Sequence, residues 1–150
     1  EQLTRRLLTR FNLPKGTIRI NIEKPVIYII SSETNLGEAI KPGYIEQSII
    51  KKAIEMGYLV KNTPDEADYI VRIVAAASSK GQAGQYKVAC LGGTLSLETR
   101  NGNQLYHKPL DGFEGRHFEM KQAGEMAFKD AKRRVEISYF REMHEAINRL

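Results

Sequence analysis

Three histidines are the residues of this sequence best suited to acid–base chemistry or to metal binding. Either role needs a carboxylate or a second ligand at a defined spacing from the imidazole. His107, His117 and His144 are scattered along the chain, and none belongs to an HExxH motif or to a related ligand pattern. We therefore interpret all three as structural or surface residues.

A second group with chemical potential is the acidic cluster Asp65, Glu66 and Asp68. A bound cation would require more oxygen ligands at defined positions along a loop. The cluster follows the sequence Asn-Thr-Pro, which favours a turn, so a turn and the start of a strand explain these acids more simply. The sequence thus predicts no metal site here.

Signatures of nucleophilic catalysis and of phosphate binding do not occur in the sequence. There is no GxSxG elbow and no P-loop, and the glycine pairs within residues 81–84 and 112–115 do not open a helix of a nucleotide-binding unit. The single cysteine, Cys90, lies in the apolar sequence KVACLGG, which is typical of a core residue, and it excludes a disulfide within the chain. We therefore expect no catalytic residue, no cofactor and no metal, and a protein that is not an enzyme.

The length of 150 residues and the ordinary composition, 41% hydrophobic and 27% charged, are typical of a globular domain. No apolar run approaches the roughly 18 residues that a membrane-spanning helix needs. We predict an N-terminal helix and strand at residues 1–24 and a single α/β domain at residues 25–150. Because the sequence begins at Glu1, without a methionine or a visible signal peptide, we expect a mature or trimmed fragment.

The net charge of +5 is concentrated at the two ends of the chain. Residues 1–24 contain six Lys/Arg and two Asp/Glu, and residues 116–150 contain eight and six. Basic ends could serve an anionic partner, so a nucleic-acid-binding α/β module that uses its basic terminal helices is the alternative function. However, acidic residues flank the basic triplet at 132–134 at helical spacing, and no strand carries an aromatic RNA-recognition signature. These features argue against nucleic acid as the partner.

Residues 1–12 have the spacing of a short amphipathic helix. Four apolar residues share one face at i, i+4, i+5 and i+8, namely Leu3, Leu7, Leu8 and Phe11. A helix of this length is marginal alone in water, so it must dock on this domain, a partner, a second copy or a membrane surface. Residues 17–22 then alternate isoleucine with polar residues, which predicts a half-buried strand.

The next segment predicts a strand–helix–strand unit. Residues 26–30 are apolar on both faces, which predicts a central strand covered on both sides, and residues 31–43 predict a polar loop. Residues 44–56 have helical spacing and precede Gly57, whose conformational freedom suits a helix end. A short strand at residues 58–61 completes a unit long enough for a crossover between parallel strands.

The middle of the chain predicts an antiparallel meander of three strands, at residues 67–77, 86–99 and 104–108. Asn101-Gly102, between the last two strands, is a strong hairpin signal. Gly92-Gly93 predicts a bulge or a sharp bend within the second strand. We predict a flexible tip at residues 78–85 and a loop at residues 109–116.

The end of the chain, from residue 117 or 118 to Leu150, has the spacing of one long helix. Its length exceeds that of the usual globular helix, so its last turns are predicted to project beyond the sheet and to carry a contact of their own. The predicted fold class is thus α/β (α+β). It has a mixed sheet of about five strands, a mid-chain helix and the long C-terminal helix on one face, and a short N-terminal amphipathic helix.

The order of motifs around Gly57 resembles that of a group of bacterial proteins. A helix ending at Gly57, a short strand around Val60 and the sequence Ala-Asp-Tyr-Ile-Val at 67–71 are similar to cell-envelope lipoprotein domains, namely the TolB amino-terminal domain, LpoB and CsgG. The hairpin at Asn101-Gly102 and the Ala-rich helix around residues 122–131 match the same order. The resemblance covers about residues 25–140.

This resemblance implies a non-enzymatic domain in the periplasm or at the outer membrane, which acts through protein–protein contacts or self-assembly. Its partners would be other envelope proteins or a second copy, and a lipid anchor outside this fragment would be its only link to a membrane. If the ends of the chain carry the contact, the predicted contact residues are Leu3, Leu7 and Phe11 of the first helix and Tyr139 and Met143 of the last.

Overall fold

The structure is a computed structural model, and it describes residues 24–150 of the chain. The helix predicted at residues 1–12 and the strand predicted at residues 17–22 lie outside the described residues. Within the described part, seven strands form one mixed sheet, and three helices pack on one of its faces. This confirms the predicted α/β (α+β) fold class, with more strands than the five or so predicted.

The strands of the predicted meander and the predicted helices occur along the chain in the predicted order. The strands are β1 (Val26–Asn35), β2 (Glu38–Ala39), β3 (Leu59–Lys61), β4 (Tyr69–Ala83), β5 (Tyr86–Thr99), β6 (Gln104–Pro109) and β7 (Glu114–His117). The helices are α1 (Tyr44–Glu55), α2 (Met120–Arg134) and α3 (Phe140–Asn148). A 3₁₀ turn at Pro64–Glu66 precedes β4, and a π-helical turn at Val135–Tyr139 joins α2 to α3. No helix in this part of the chain is long and apolar enough to cross a membrane.

β1 and β4 form the centre of the sheet as a parallel pair, with Ile29 opposite Val71. The other edge of β1 is shared, because β3 pairs with its first residues in parallel and β2 pairs with its last residues antiparallel. Beyond β4, the strands β4, β5 and β6 form the predicted antiparallel meander, and β7 pairs with the first half of β5. Since α1 connects β1 to the parallel β3, the predicted strand–helix–strand unit is confirmed.

The hydrophobic core lies between the sheet and the three helices. On β4, every second residue from Val71 to Ala77 is buried, and Leu91, Leu95 and Leu97 are the buried residues among their partners on β5. The helices supply the other half of the core through Ile45, Ile49, Ala53, Ala127, Phe128, Ala131, Val135, Phe140 and Met143. Small residues bring α2 close to β7, since a Cβ on Gly115 would lie 1.9 Å from the carbonyl oxygen of Ala123.

Two strands are longer than predicted. The prediction of a loop at residues 31–43 is wrong for residues 31–35, because β1 continues to Asn35 and pairs with β4 along that length. β4 likewise continues to Ala83, where a flexible tip is predicted from residue 78. In both places polar residues extend the strand because a long neighbouring strand pairs with their backbone groups.

The bulge predicted at Gly92-Gly93 is also wrong. β5 stays in register with β4 across both glycines, and the register shift lies between Ser79 and Gly81 instead. Gly93 has a φ of +142°, and a Cβ on it would lie 1.8 Å from the carbonyl oxygen of Val74. The glycine therefore permits a close approach of two strands rather than a bend.

Two predicted turns are confirmed, and two predictions near the C-terminus are not. Gly57 ends α1 with a φ of +83°, and Gly102 lies in the β5–β6 hairpin with a φ of +88°. The loop predicted at residues 109–116 contains the start of a seventh strand, β7. The last helical turns do not project as predicted, because Met143 and Ile147 of α3 are buried against the rest of the fold.

Candidate functional site on the outer face of the sheet

Glu33 is the one carboxylate that is buried in the part of the chain that the structure describes. Its Oε1 accepts a hydrogen bond from the Ile45 N–H at 2.9 Å, and its Oε2 accepts one from the Glu46 N–H at 3.0 Å and one from the Ser31 hydroxyl at 2.9 Å. Burial raises the pKa of this carboxyl, and the two backbone donors offset part of that effect. Both oxygens are engaged at the start of α1, so Glu33 is a structural acceptor rather than a base open to a substrate.

Tyr58 and His144 form a second polar contact inside the fold. The Tyr58 hydroxyl lies 2.5 Å from Nδ1 of His144, and the side-chain amide nitrogen of Asn148 lies 3.1 Å from Nε2 of the same ring. Burial, with a smaller effect of Tyr69, raises the pKa of Tyr58 to about 12. The phenol therefore stays protonated, both imidazole nitrogens have partners, and the contact ties α3 to the start of β3.

Glu142 organises a third polar cluster, which ties α3 to β6. The Tyr106 hydroxyl donates to Oε1 of Glu142 at 3.1 Å, and the Ser138 hydroxyl donates to Oε2 at 3.0 Å. The Lys108 ammonium lies 3.7 Å from the same carboxylate and 5.1 Å from the centre of the Tyr139 ring. Burial and, second, the charge of Glu142 raise the pKa of Tyr106 above its ordinary range. The cluster holds two elements together and leaves no group open for chemistry.

Two further candidates for chemistry, His117 and Asp68, have structural roles as well. Nδ1 of His117 accepts the Glu119 N–H at 3.2 Å just before α2. Asp68 accepts the Val26 N–H at 3.3 Å and lies 3.9 Å from Arg100, so it connects the starts of β1 and β4. Residues 24–150 contain no group of three or more His, Cys, Asp or Glu side chains that could hold a metal ion.

The face of the sheet on which no helix of residues 24–150 packs has a different character, because it exposes large apolar side chains. We call these residues the outer apolar stripe, and they are Val26, Tyr28 and Ile30 of β1, Leu59 of β3, and Ile70 and Val74 of β4. They alternate with buried residues that face the helices, so their side chains point to the opposite side. Ile30, Leu59 and Val74 are 37%, 45% and 55% exposed. Exposed apolar patches of this kind mark interaction sites on soluble domains.

Strand pairing joins part of the stripe, but Ile30 lies opposite Arg72 and Val74 lies opposite Ser32, so polar residues interrupt it. Val26 lies opposite Leu59, and Tyr28 lies opposite Ile70, so three strands contribute to one surface. Beside Ile70, the guanidinium of Arg72 bonds the carboxylate of Glu98 at 2.9 Å and bridges β4 to β5. Apolar side chains combined with a few polar groups are the usual composition of a protein–protein interface.

Comparison with known proteins gives no family for this chain. No family model matches it, and no curated protein matches it. Similar solved structures include a minor lipoprotein from Acinetobacter baumannii, with 12% identity, 76% of this chain and 92% of that chain covered, and a TM-score of 0.48. Another is an uncharacterized lipoprotein B from Nitrosomonas europaea, with 13% identity, coverage of 85% and 90%, and a TM-score of 0.48.

A third similar structure is a putative neuraminyllactose-binding hemagglutinin homolog from Helicobacter pylori, with 13% identity, coverage of 89% and 92%, and a TM-score of 0.46. Two of these three proteins are bacterial lipoproteins by name. The TolB amino-terminal domain, LpoB and CsgG are not among the three. Similarity at this level transfers no function to this chain.

The predicted contact residues do not form one surface in the described part of the chain. Tyr139 and Met143 are 9% and 3% exposed and belong to the core, so they are not available to a partner while α3 is packed. Leu3, Leu7 and Phe11 lie outside the described residues, and their role stays a prediction. The sequence does contain a signal for the outer apolar stripe, because residues 26–30 and β4 carry apolar residues on both faces.

Proposed function

We propose that this chain is a non-enzymatic domain of a bacterial cell-envelope protein, and that it acts by binding another protein through the outer apolar stripe. The observation that carries the proposal is the exposure of Ile30, Leu59 and Val74 on a sheet face on which no described helix packs. A partner that covers these side chains removes apolar surface from water, which contributes roughly 1.5–3 kcal/mol for each side chain fully buried.

The polar pair within the stripe supports a specific partner rather than indiscriminate association. The Arg72–Glu98 pair interrupts the apolar surface at a fixed place and presents both a cation and an anion. Such a pair contributes more to the orientation of a partner than to affinity, because its charges are partly solvated. We therefore expect a partner surface with an apolar strip and polar groups that meet this pair.

The non-enzymatic part of the proposal is supported by the polar side chains inside the fold. Glu33, the Tyr58–His144 pair and Glu142 each have their hydrogen-bonding groups engaged by other residues of the fold. The envelope part is supported by the sequence resemblance, and α1, β3, β4, the β5–β6 hairpin and the last helices follow the order on which it is based. No observation on residues 24–150 supports the nucleic-acid alternative.

Photo-crosslinking in living bacteria tests the docking proposal. A photoreactive amino acid replaces Ile30 in the stripe or, as a control, Ile137, which is 64% exposed on the π-helical turn. We expect position 30 to give a crosslinked product that contains an envelope protein or a second copy, identified by mass spectrometry. A product from position 137 alone, or none from either position, would overturn the proposed docking.

Cell fractionation tests the envelope location independently. The complete gene product, with a tag at its C-terminus, is expressed from its native promoter and followed through osmotic shock and membrane separation. The proposal expects the protein in the periplasmic or outer-membrane fraction. Recovery with a cytoplasmic marker enzyme would overturn the envelope location while leaving the crosslinking result to be judged on its own.

A further inference from the structure

A groove of about 500 Å³ lies at one edge of the sheet, between β7 and α2. Its lining includes Glu114 and Arg116 of β7 and Met126, Lys129, Asp130 and Arg133 of α2. The four α2 residues lie at i, i+3, i+4 and i+7, so they share one face of the helix. Because Gly115 packs directly against the α2 backbone, the strand and the helix form the two sides of one continuous groove.

The wall of the groove is a strand with an unpaired edge. β7 pairs with β5 on one side, and no other strand in the described part of the chain pairs with it. Unpaired backbone N–H and C=O groups of an edge strand are satisfied well by another extended chain. α2, which lies beside this edge of β7, offers a surface on which the side chains of an added strand can pack. Met126, 44% exposed, is the apolar part of that surface.

The groove has an excess of positive charge. Arg116, Lys129 and Arg133 form no ion pair with any carboxylate of residues 24–150. Glu114 is neutralised by Lys80, whose hydrogen bond holds the pKa of the Glu114 carboxyl below its ordinary value. Asp130 is the one other acidic side chain in the lining, so cations outnumber anions where a bound chain would lie.

We infer that this groove binds an extended acidic segment of a partner protein, which pairs with the free edge of β7. Alternate side chains of an added strand share a face, so acidic residues at every second position would meet Lys129 and Arg133 of α2. Gly115 faces α2, so Arg116 lies on the opposite face of β7 and adds positive charge beside the bound chain. The residues between them would point away from α2. This site is separate from the outer apolar stripe, and it does not depend on docking there.

A peptide fits the groove better than a nucleic acid does. Asp130 in the lining would repel phosphates and acidic side chains alike, so the distinction rests on the backbone edge of β7. The unpaired backbone edge of β7 requires both donors and acceptors in alternation, which a peptide backbone provides and a phosphate backbone does not. The same features distinguish strand addition from simple attraction of any anion.

The test uses the full chain and a fluorescein-labelled peptide of four Glu-Val repeats, titrated by fluorescence anisotropy. We expect saturable binding. A matched peptide with proline at both central valines keeps the charge but loses two backbone donors, so it should bind at least about tenfold more weakly. Equal binding of the two peptides would overturn strand addition, and so would equal displacement by a single-stranded oligonucleotide of the same charge.

Charge reversal on α2 supplies the matched variants. Arg133→Glu changes a lining residue, and Arg134→Glu changes the next residue, which is exposed but does not line the groove. The inference expects Arg133→Glu to weaken peptide binding about tenfold or more and Arg134→Glu to weaken it less than about threefold. Equal losses for the two variants, or no binding of the first peptide up to about 1 mM, would overturn the inference. Circular dichroism verifies that both variants are folded.

Discussion

Glu33 secures the start of α1 from a neighbouring strand. A helix usually begins with a Ser, Thr, Asp or Asn whose side chain accepts the first free N–H groups. Here Gly43 occupies that position and gives no side-chain cap, and the Glu33 carboxylate accepts the N–H groups of Ile45 and Glu46 instead. A Cβ on Gly43 would lie 1.8 Å from Oε2 of Glu33, so the glycine and the carboxylate fit each other.

Replacing Glu33 with alanine should therefore destabilise the fold. The change leaves two buried backbone donors at the start of α1 without a partner, which costs about 1–3 kcal/mol in free energy of unfolding at pH 7. Urea denaturation followed by circular dichroism measures this loss. Glu38→Ala, at an exposed glutamate of β2, is the control and should change stability by less than about 0.5 kcal/mol. Equal stability of wild type and Glu33→Ala would contradict the capping role.

The effect of Glu33 on stability should also depend on pH. Burial raises the pKa of this carboxyl in the folded protein, so the folded chain binds more protons than the unfolded chain as pH rises above about 4.3. Glu33 therefore makes its full contribution to the free energy of unfolding below about pH 4.3. This contribution declines as the pH rises through the pKa that Glu33 has in the folded protein. We expect the free energy difference between wild type and Glu33→Ala to be larger at pH 4 than at pH 7. A difference that grows with pH would show that the folded pKa is lowered instead.

Asn35 contacts the start of α2, but as a donor to a helix carbonyl rather than as an acceptor of free N–H groups like Glu33. Its amide nitrogen donates to the carbonyl oxygen of Lys121 at 2.9 Å, and a Cβ on Gly124 would lie 1.9 Å from its amide oxygen. The partners of Glu33 and Asn35 lie 12 and 86 residues away along the chain. A local pattern such as SSETN cannot reveal such partners, so the sequence predicts a loop where the structure has a buried end of β1.

At the scale of elements, the pairing of β4 with β5 is the longest contact of the sheet. The two strands remain in register from Tyr69 opposite Thr99 as far as Ser79 opposite Ala89. Gly93 lies within this pair with a φ of +142°, and the Val74 carbonyl oxygen occupies the space that its side chain would need. The pairing of β4 with β5 therefore depends on the absence of a side chain at Gly93.

Gly93→Ala should strain this pair of strands severely, and Gly92→Ala should not. A methyl group at position 93 would collide with the β4 backbone and would require a φ that alanine rarely adopts, so we expect a loss of about 3 kcal/mol or more. At position 92 the nearest atom to an added Cβ is Oδ1 of Asp111 at 3.4 Å, so the loss should stay below about 1 kcal/mol. Thermal unfolding of both variants measures the difference. Similar losses at the two positions would contradict the close approach at Gly93.

The two C-terminal helices illustrate what periodicity can and cannot predict. Buried residues recur every four positions at Ala127, Ala131, Val135, Tyr139 and Met143. A regular α-helix with 3.6 residues per turn would rotate this series away from the core, and the π-helical turn at Val135–Tyr139 compensates by adding a residue to one turn. The sequence predicts the helical segment correctly. The prediction that its end projects is wrong because it does not take the π-helical turn into account.

Elements with strong local signals are predicted well, and those held by distant contacts are not. α1 with Gly57 and the hairpin at Asn101-Gly102 follow from local spacing and turn chemistry. β7 has four residues and no alternating pattern, and it forms because β5 pairs with it and α2 packs on Gly115. The two sides of the groove are consecutive elements of the chain, but the groove could not be predicted either, because it depends on β7, which forms through its pairing with the distant strand β5.

At the scale of the whole molecule, the described chain is a two-layer arrangement of one sheet and one layer of helices. Such a sheet normally alternates apolar residues toward the helices with polar residues toward water. β1 and β4 depart from this pattern, because Ile30, Ile70 and Val74 lie on the face away from the helices. The sequence shows apolar residues on both faces of these strands, but it cannot show that helices cover one face alone.

The most direct test of docking through the outer apolar stripe is the yield of crosslinked partner from position 30 in a chain that also carries Val74→Arg. The proposal predicts a loss of about tenfold or more, because a second guanidinium at this end of the stripe would have to leave water without a partner when the contact forms. Ile137→Arg, at an exposed residue away from the stripe, should leave the yield within about twofold. An unchanged yield in a folded Val74→Arg variant would contradict the proposal.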